Sequence, residues 1–459
     1  MAVGDFDTYY SDNPWEVIDK NTRVWYDPEL IAMFRQSSLF TPTIQFVKNL
    51  GDQRATSMVM SQLYDPHPDY TAMAMRQMWM PASHVDSRSL EIVFSRYGGK
   101  VAYNVYDDIV TYWQQNNQDG IRGIMKGALG QHMTEVMDLL ARNAYIKGAL
   151  DTGYAMYTGT GNTDFGDIDV SDVFELDIAM EIWLGMATRG VAAALGESGV
   201  ANNIICYTSP SVIYDIQKSS KSDEWVGVNQ YANPTALLRY EVGTYKNIRY
   251  VQSPKMILWN CGVVKAEGLV DAAIHAGDGA PVPGTTKVDA TYDVGQSSAG
   301  VKNYVSIGSW GTGAYTDIDV NDIVTLHVTR TSSYGVSNGV NPFEGTMQNF
   351  RVTAITADKV VFDRPVMTDF VTNLGAGVYA YLTKGHNIHS SIFLGGPQAI
   401  VSGVATPPRF HTPPPIDDFE MVQRFSWDAY FGYQVYRPEV FEVVFSAGTT
   451  RTKGRAKVV

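Results

Sequence analysis

Between Asp119 and Lys147, apolar or small residues recur at Ile121, Met125, Leu129, Met133, Val136, Leu140 and Ala144, at steps of four, four, four, three, four and four. Steps of three and four put side chains on one face of an α-helix, so the spacing predicts a helix that buries a single stripe. Asp119 is placed to cap its start and Gly148 to end it. At 1.5 Å per residue the helix reaches roughly 43 Å. That exceeds the width of a small domain, so several parts of the chain must lie along it. Gly120, Gly123, Gly127 and Gly130 fall in its first half. An interior glycine costs about 1 kcal/mol relative to alanine, so either another backbone packs closely there or this half bends. His132, on or near the stripe, reads as a satisfied core histidine.

Upstream the pattern is different. Residues 1–26 are polar and aromatic without a period and read as an extended arm. Asp27 and Pro28 open a short helix that runs to Phe40. Met58, Met60, Met73, Met75, Met78 and Met80 then crowd together, with Trp79 among the last of them. Methionine adapts to irregular apolar surfaces. The cluster is therefore either core filling or a long loop pressed against a neighbouring subunit. Leu90, Ile92 and Phe94 alternate with polar residues, Gly98-Gly99 offers a turn, and Val101, Tyr103 and Val105 continue the alternation, which predicts a β-hairpin.

Downstream, residues 151–170 form a Gly/Thr/Asp loop, and Ser171 is placed to cap a second helix ended by Gly196 and Gly199, with Ile178, Ile182 and Met186 on one side. Residues 202–220 read as strand, turn and short helix, 221–243 as polar loop, and 243–262 as a turn and two strands broken at Ser253-Pro254. From 265 to 384 no helical period appears. Val324, Leu326 and Val328 share a face, and 349–366 alternates on both sides of a turn near Ala357-Asp358. Short strands at this spacing predict a small barrel or sandwich of about 120 residues, inserted into an α+β body. The end of the chain reads as a strand and short helix around Gly395-Gly396-Pro397, a stiff Pro-rich connector over 407–415, and a last strand from Val440 to Phe445.

Composition narrows the function. At 459 residues with 45% apolar content the chain has room for two or three domains with real cores. A net charge of −13 opposes nucleic-acid binding by the chain as a whole, though not by a small basic patch. Cys206 and Cys261 make no disulfide framework and read as small buried hydrophobes. The N-terminus lacks the basic start and apolar run of a signal peptide, and no stretch approaches the ~18 apolar residues of a membrane span, so a cytoplasmic chain is expected.

Tests for chemistry return little. There is no G-x-S-x-G, P-loop, complete G-x-G-x-x-G or H-E-x-x-H. Asp317, Asp319, Asn321 and Asp322 imitate the start of a calcium loop, but Asp322 stands where glycine is needed and Val328 where a bidentate Glu is needed. Asp167, Asp169, Ser171 and Asp172 repeat the phrase and read as capping. His386, His389 and His411 have no acidic or Cys ligand beside them and read as structural or exposed. The expectation is no catalytic residue, no metal and no cofactor. The tail carries Arg451, Lys453, Arg455 and Lys457 and no acid; it reads as a solvated terminus, the alternative being contact with packaged nucleic acid or an acidic neighbour.

The order of parts, together with four local stretches, resembles the major capsid proteins of tailed phages with the HK97-type fold, podovirus-like branch. RNAYIKGALDTGYAMYTG looks like the exit of the family's spine helix. NNIICYTSPSVIYDIQKSS is similar to the opening of its axial domain, and VGTYKNIRYVQSPKMILWNCG to that domain's returning strands. WDAYFGYQVYRPEVFEVVFSAG resembles the closing peripheral-domain segment, down to Arg437-Pro438. The resemblance covers residues 1–264 and 386–459. It implies an α+β fold with an N-terminal arm (1–50), an extended E-loop with its hairpin (51–115), spine helix and peripheral domain (116–200), axial domain (201–264), an all-β insertion domain (265–385) and a return to both domains with the basic tail (386–459). The implied function is a non-enzymatic protein that self-assembles as hexamers and pentamers into an icosahedral shell around double-stranded DNA, built in the host cytoplasm and ending in the virion. Implied partners are other copies, a scaffolding protein, a portal, a decoration or cement protein and DNA on the inner face, without a membrane. Met78, Trp79 and Met80 are then expected at intersubunit contacts, and Gly123 and Gly127 where the spine helix flexes. The competing readings are the shell of a bacterial protein compartment and a carbohydrate-binding or carbohydrate-cleaving β protein.

Overall fold

The computed structural model describes residues 38–44, 46–50, 56–63, 87–104, 120–163, 165–189, 191, 204–219, 226–227, 240–245, 248–256, 258–263, 265–270, 304–329, 347–355, 359–363, 379–396, 399–412 and 422–449. The chain divides into two compact units. One comprises residues 1–34, 142–397 and 438–459, the other 35–141 and 398–437. The fold is mixed α+β, with three α-helices among the described residues: α1 (Gly120–Thr152), α2 (Leu176–Thr188) and α3 (Pro210–Ser219).

The first unit is built on an eight-stranded sheet. Its central strand, Asn387–Leu394, buries seven of its eight residues, as a strand covered on both faces must. Phe441–Ala447 pairs with it on one side and Ile204–Thr208 on the other, both antiparallel. Aromatic rings fill the core: Phe165 meets both Trp259 and Phe445 edge-on, at 5.1 and 4.8 Å between centroids, and Phe174 stacks on Phe393. Cys206 and Cys261 are free and buried; burial pushes the Cys206 thiol well above its ordinary pKa.

The region without helical period closes into a barrel of six strands, from Ala266–Val270 to Tyr379–Lys384. Val324, Leu326, Phe350, Val352 and Phe362 fill its interior, and Met347–Ile355 pairs with Lys359–Phe362 across the expected turn. The chain enters and leaves the barrel side by side. Gly262 N–H donates to His386 O, Lys265 N–H to Lys384 O and Gly385 N–H to Asn260 O. A Cβ on Gly385 would lie 2.3 Å from Gly262 O, so only glycine permits this approach.

In the second unit a four-stranded sheet runs in the order Phe46–Asn49, Ile400–His411, Val422–Val435, Ser95–Asn104. The hairpin expected at Gly98-Gly99 is not formed. Both glycines lie within the continuous strand Ser95–Asn104, opposite Asp428 and Trp427. Gly99 is needed there because its Cβ would lie 2.8 Å from the Trp427 indole nitrogen and 2.9 Å from the His132 ring. The hairpin pairs Ser57–Leu63 with Ser87–Val93 instead. The Pro-rich stretch expected as a connector is strand as far as His411, held antiparallel to Val422–Val435 through two register shifts. Among the described residues no helix forms around Gly395-Gly396: strand Asn387–Leu394 and a strand that starts at Ile400 flank them, and Pro397 lies outside the described residues.

Helix α1 runs past its expected stop at Gly148 to Thr152, whose hydroxyl donates to Gly148 O. Gly153, at φ +78°, ends it, a conformation open to glycine at little cost. Its fully buried residues include Leu129, Asp138, Ala141, Tyr145, Ile146 and Ala149. The expected stripe of Met133, Val136, Leu140 and Ala144 is only half-buried, so the buried face is turned by about one residue, roughly 100°. Helix α2 starts at Leu176 rather than at Ser171, because Val173 bridges to Ala447 and Phe174 is drawn into the core.

Candidate interaction site

Asp138 is the polar residue that breaks the apolar pattern of α1, and it is wholly buried. Its Oδ1 accepts the backbone N–H groups of Leu39, Phe40 and Thr41 at 2.9, 2.7 and 3.0 Å, and the Thr41 hydroxyl at 3.3 Å. Three consecutive amides turned toward one oxygen form a concave anion nest. Phe40 itself is 0% exposed. The carboxylate therefore fixes the stretch of chain that begins at residue 38. Of the expected arm, residues 1–37 lie outside the described residues.

The Ser57–Leu63/Ser87–Val93 hairpin has two unlike faces. Met58 and Met60 pack with Leu90, Ile92, Phe94 and Val401, so these two methionines fill a core of their own chain. Val59 and Val93 point the other way, each 63% exposed, near Glu91 and the serines. Met78, Trp79 and Met80, expected at intersubunit contacts, lie outside the described residues, as do Met73 and Met75.

His132 is exposed rather than a core residue, yet it has a specific partner: buried Trp427 donates its indole N–H to His132 Nδ1 at 3.2 Å. Gly127 has room for a Cβ, which would meet nothing within 4 Å. Close packing within the described chain therefore does not account for it. Gly123 falls in the helix, but its surroundings lie outside the described residues.

The two Asp-rich phrases adopt one conformation. Each opens with a short 3₁₀ turn, Phe165–Asp167 and Tyr315–Asp317. In each, the last carboxylate turns back onto a backbone amide: Asp172 Oδ2 accepts from Asp169 N and Asp322 Oδ2 from Asp319 N. Lys384 pairs with Asp322. These oxygens serve turns, and among the described residues no group of three His, Cys, Asp or Glu side chains is placed to hold a metal.

The three histidines have separate partners. His386 faces Asp169 at 3.6 Å and His411 contacts Asp428 at 2.6 Å. His389 is buried, with Nδ1 2.8 Å from the Ser209 hydroxyl, and burial pushes its pKa down to about 4 against the pull of Asp215. In the unfolded chain this histidine binds a proton near pH 6.5. This histidine therefore costs the fold stability as pH falls from 6.5 toward 4, by about 3 kcal/mol in all, and adds no further loss below that. His389→Gln should flatten this part of the urea-midpoint profile. An unchanged slope would place the titration elsewhere.

No sequence-family model and no curated protein sequence matches the chain. Its structure is similar to that of the capsid of Ralstonia phage GP4, with a TM-score of 0.52 over 94% of this chain and 97% of that one, at 9% identity. The mature capsid of bacteriophage PhiM1 matches at 0.44, over 90% and 87%, at 12% identity. The capsid of cyanophage Pam1 matches at 0.45, over 93% and 96%, at 10% identity. With all but a few per cent of both chains aligned, the fold of this protein is the fold of the Ralstonia phage GP4 capsid chain.

Proposed function

We propose that this chain is the major capsid protein of a tailed bacteriophage, a structural subunit that assembles with copies of itself into the shell around the viral DNA. The observation that carries this reading is the fold match to a phage capsid chain over 94% of this protein. In the finer version the fold is of the HK97 type. Residues 1–50 are the arm and 51–115 the extended loop, α1 is the spine, and 116–200 and 201–264 belong to peripheral and axial domains. The barrel between 265 and 385 is an insertion domain, and 386–459 returns to the body. Hexamers and pentamers, a scaffolding protein, a portal, a decoration protein and assembly in a host cytoplasm belong to the same reading, as does the absence of a catalytic step.

One further feature supports it. The hairpin keeps an exposed apolar face, Val59 and Val93, after its other face is buried, as suits a surface covered by another copy. Electron microscopy of the expressed full chain tests the proposal. Closed particles carrying nucleic acid are expected. Particles filled with protein cargo would favour the compartment-shell reading, and monomers under all conditions would overturn both.

The glycines of α1 give a second test. With free space around its Cα, Gly127→Ala should raise helix stability by about 0.5–1 kcal/mol. If Gly123 and Gly127 let the spine bend, Gly123→Ala/Gly127→Ala should fold normally yet block the change in particle diameter seen by cryo-microscopy on maturation. Normal expansion would remove that role.

A further inference from the structure

The charge of this chain is unevenly laid out. The four strands Phe46–Asn49, Ser95–Asn104, Ile400–His411 and Val422–Val435 contain Lys48, Arg96, Lys100, Arg409 and Arg424 and a single carboxylate, Asp428. A chain of net charge −13 thus holds a sheet of net +4, from five cations less one anion. Three of the cations gather on one face. Arg96 Nη2 lies 3.1 Å and Arg409 Nε 3.2 Å from Asp428, with His411 Nε2 at 2.6 Å. Lys100 stands opposite Ser426, two residues from Asp428 and so on the same face. The opposite face is the one turned to α1, through Trp427–His132 and Phe425–Lys126. Burial works against the Asp428 carboxylate, but its hydrogen bonds from His411, Arg409 and Arg96 outweigh that and keep its pKa below the ordinary value. One anion cannot satisfy two guanidiniums whose side chains are 65% and 57% exposed.

The complementary surface is also present. Residues 148–188 contain eight carboxylates and no lysine or arginine. Asp167, Asp169, Glu175, Asp177 and Glu181 are exposed, accompanied by Val170 at 58% and Leu184 at 59% exposure. His386 lies beside Asp169 at 3.6 Å, but burial and Lys265 hold its pKa below the ordinary value, so it does not offset this charge near neutral pH.

From this we infer that the Arg96–Lys100–Arg409 face is a docking surface for a second copy of this chain, and that its occupant is the acidic segment 167–184 of that copy. The inference rests on the shell reading and adds to it the pair of surfaces that join. Such pairing reconciles a strongly negative subunit with self-association: the repulsion between copies is offset where opposite charges face each other, and like-charge juxtaposition penalises wrong registers. The apolar Val170 and Leu184 supply area that does not depend on salt.

The test uses the full chain, expressed and counted as particles by sedimentation and electron microscopy. Arg96→Glu/Arg409→Glu should reduce particles about tenfold or more, since like charges across a contact cost several kcal/mol and each 1.4 kcal/mol is tenfold. Asp169→Lys/Glu181→Lys should do the same. The four changes combined restore opposite charges and should recover particles. The milder Arg96→Gln/Arg409→Gln, which keeps hydrogen bonds to Asp428, should fold as the wild type does by circular dichroism, assemble less well than it in 0.1 M salt, and lose much of the further weakening that the wild type shows in 1 M salt. Wild-type particle numbers from the two reversed variants would overturn the inference and leave the shell reading intact. Failure of the combined variant to recover would also overturn it, as would normal particles lacking nucleic acid, which would assign the face to phosphates. If the wild-type chain forms no particles, the shell reading fails and this inference falls with it.

Discussion

Replacing Asp138 with alanine is expected to destabilise the unit formed by residues 35–141 and 398–437 by about 3 kcal/mol, because a buried amide left without a partner costs roughly 1–3 kcal/mol and three amides lose theirs together. Leu39, Phe40 and Thr41 point their N–H groups at one oxygen of this side chain, at 2.7 to 3.0 Å. Two effects oppose each other. Burying a carboxylate is costly, and Asp138 Oδ2 has no hydrogen-bond partner among the described residues. Removing the charge therefore returns part of what removing the acceptor takes away. The three orphaned donors outweigh this, since two of the contacts are buried and water has no route to replace them. Asp138→Asn keeps a carbonyl oxygen in place and should lose about half as much, charge-assisted bonds being roughly twice as strong as neutral ones. Urea unfolding measures the loss, and hydrogen exchange at the amides of residues 39–41 locates it. A loss below 1 kcal/mol with unchanged protection of those amides would mean that packing of Phe40, not the carboxylate, holds this segment.

Asp138 also shows why some of the structure is hard to see from the sequence. The repeat of apolar residues along α1 identifies a long helix correctly, but the buried face contains a carboxylate, so a count of apolar positions selects the neighbouring face. Tyr145 and Ile146, both buried, do not sit on the four-residue ladder that Ala144 continues. Nothing local marks Asp138 as buried. Its partners lie 97 to 99 residues away, and only the tertiary fold brings them together. The barrel between Ala266 and Lys384 was legible for the opposite reason: alternation of Val324 and Leu326 with polar residues is a local, period-two signal. Helix ends failed where tertiary contacts overrode capping. Asp172 is taken by Asn162 and Asp169, and Phe174 by Phe393, so α2 cannot begin at Ser171. The Arg96–Asp428–Arg409 cluster joins residues from three separate strands, which no spacing rule could assemble.

The Gly98-Gly99 pair likewise owes its place to partners distant in the sequence. A paired glycine between alternating stretches has the form of a turn, yet here glycine is required for packing, because a tryptophan and a strand lie over it. The second unit uses glycine in this way again at Gly432 and Gly403, beneath the hairpin. A Cβ on Gly432 would lie 2.1 Å from the carbonyl oxygen of Val93 and 3.2 Å from Ile92 Cγ2. The nearest obstacle is backbone, so no side-chain rotation relieves it, and the strand Ser87–Val93 must move. At Gly403 the obstacles are the side chains of Phe94 and Ile92, at 2.8 and 3.1 Å, which have some freedom to turn. Gly432→Ala is therefore expected to cost about 2–3 kcal/mol, the upper range for overpacking, and to lift the hairpin off the sheet. Gly403→Ala should cost about half of that. Because Met58, Met60, Leu90 and Ile92 form their core on this contact, the displaced hairpin exposes them, and residues 56–63 and 87–94 become open to limited proteolysis. The strands of the first unit share no residue with this core, and its hydrogen-exchange protection should be unchanged. Under the shell reading the hairpin is the part that reaches a neighbouring copy, so Gly432→Ala should yield folded chains and no particles, while Gly403→Ala yields fewer. Wild-type particle numbers from Gly432→Ala, with the hairpin cleaved as readily as predicted, would show that its seating on the sheet does not matter for assembly.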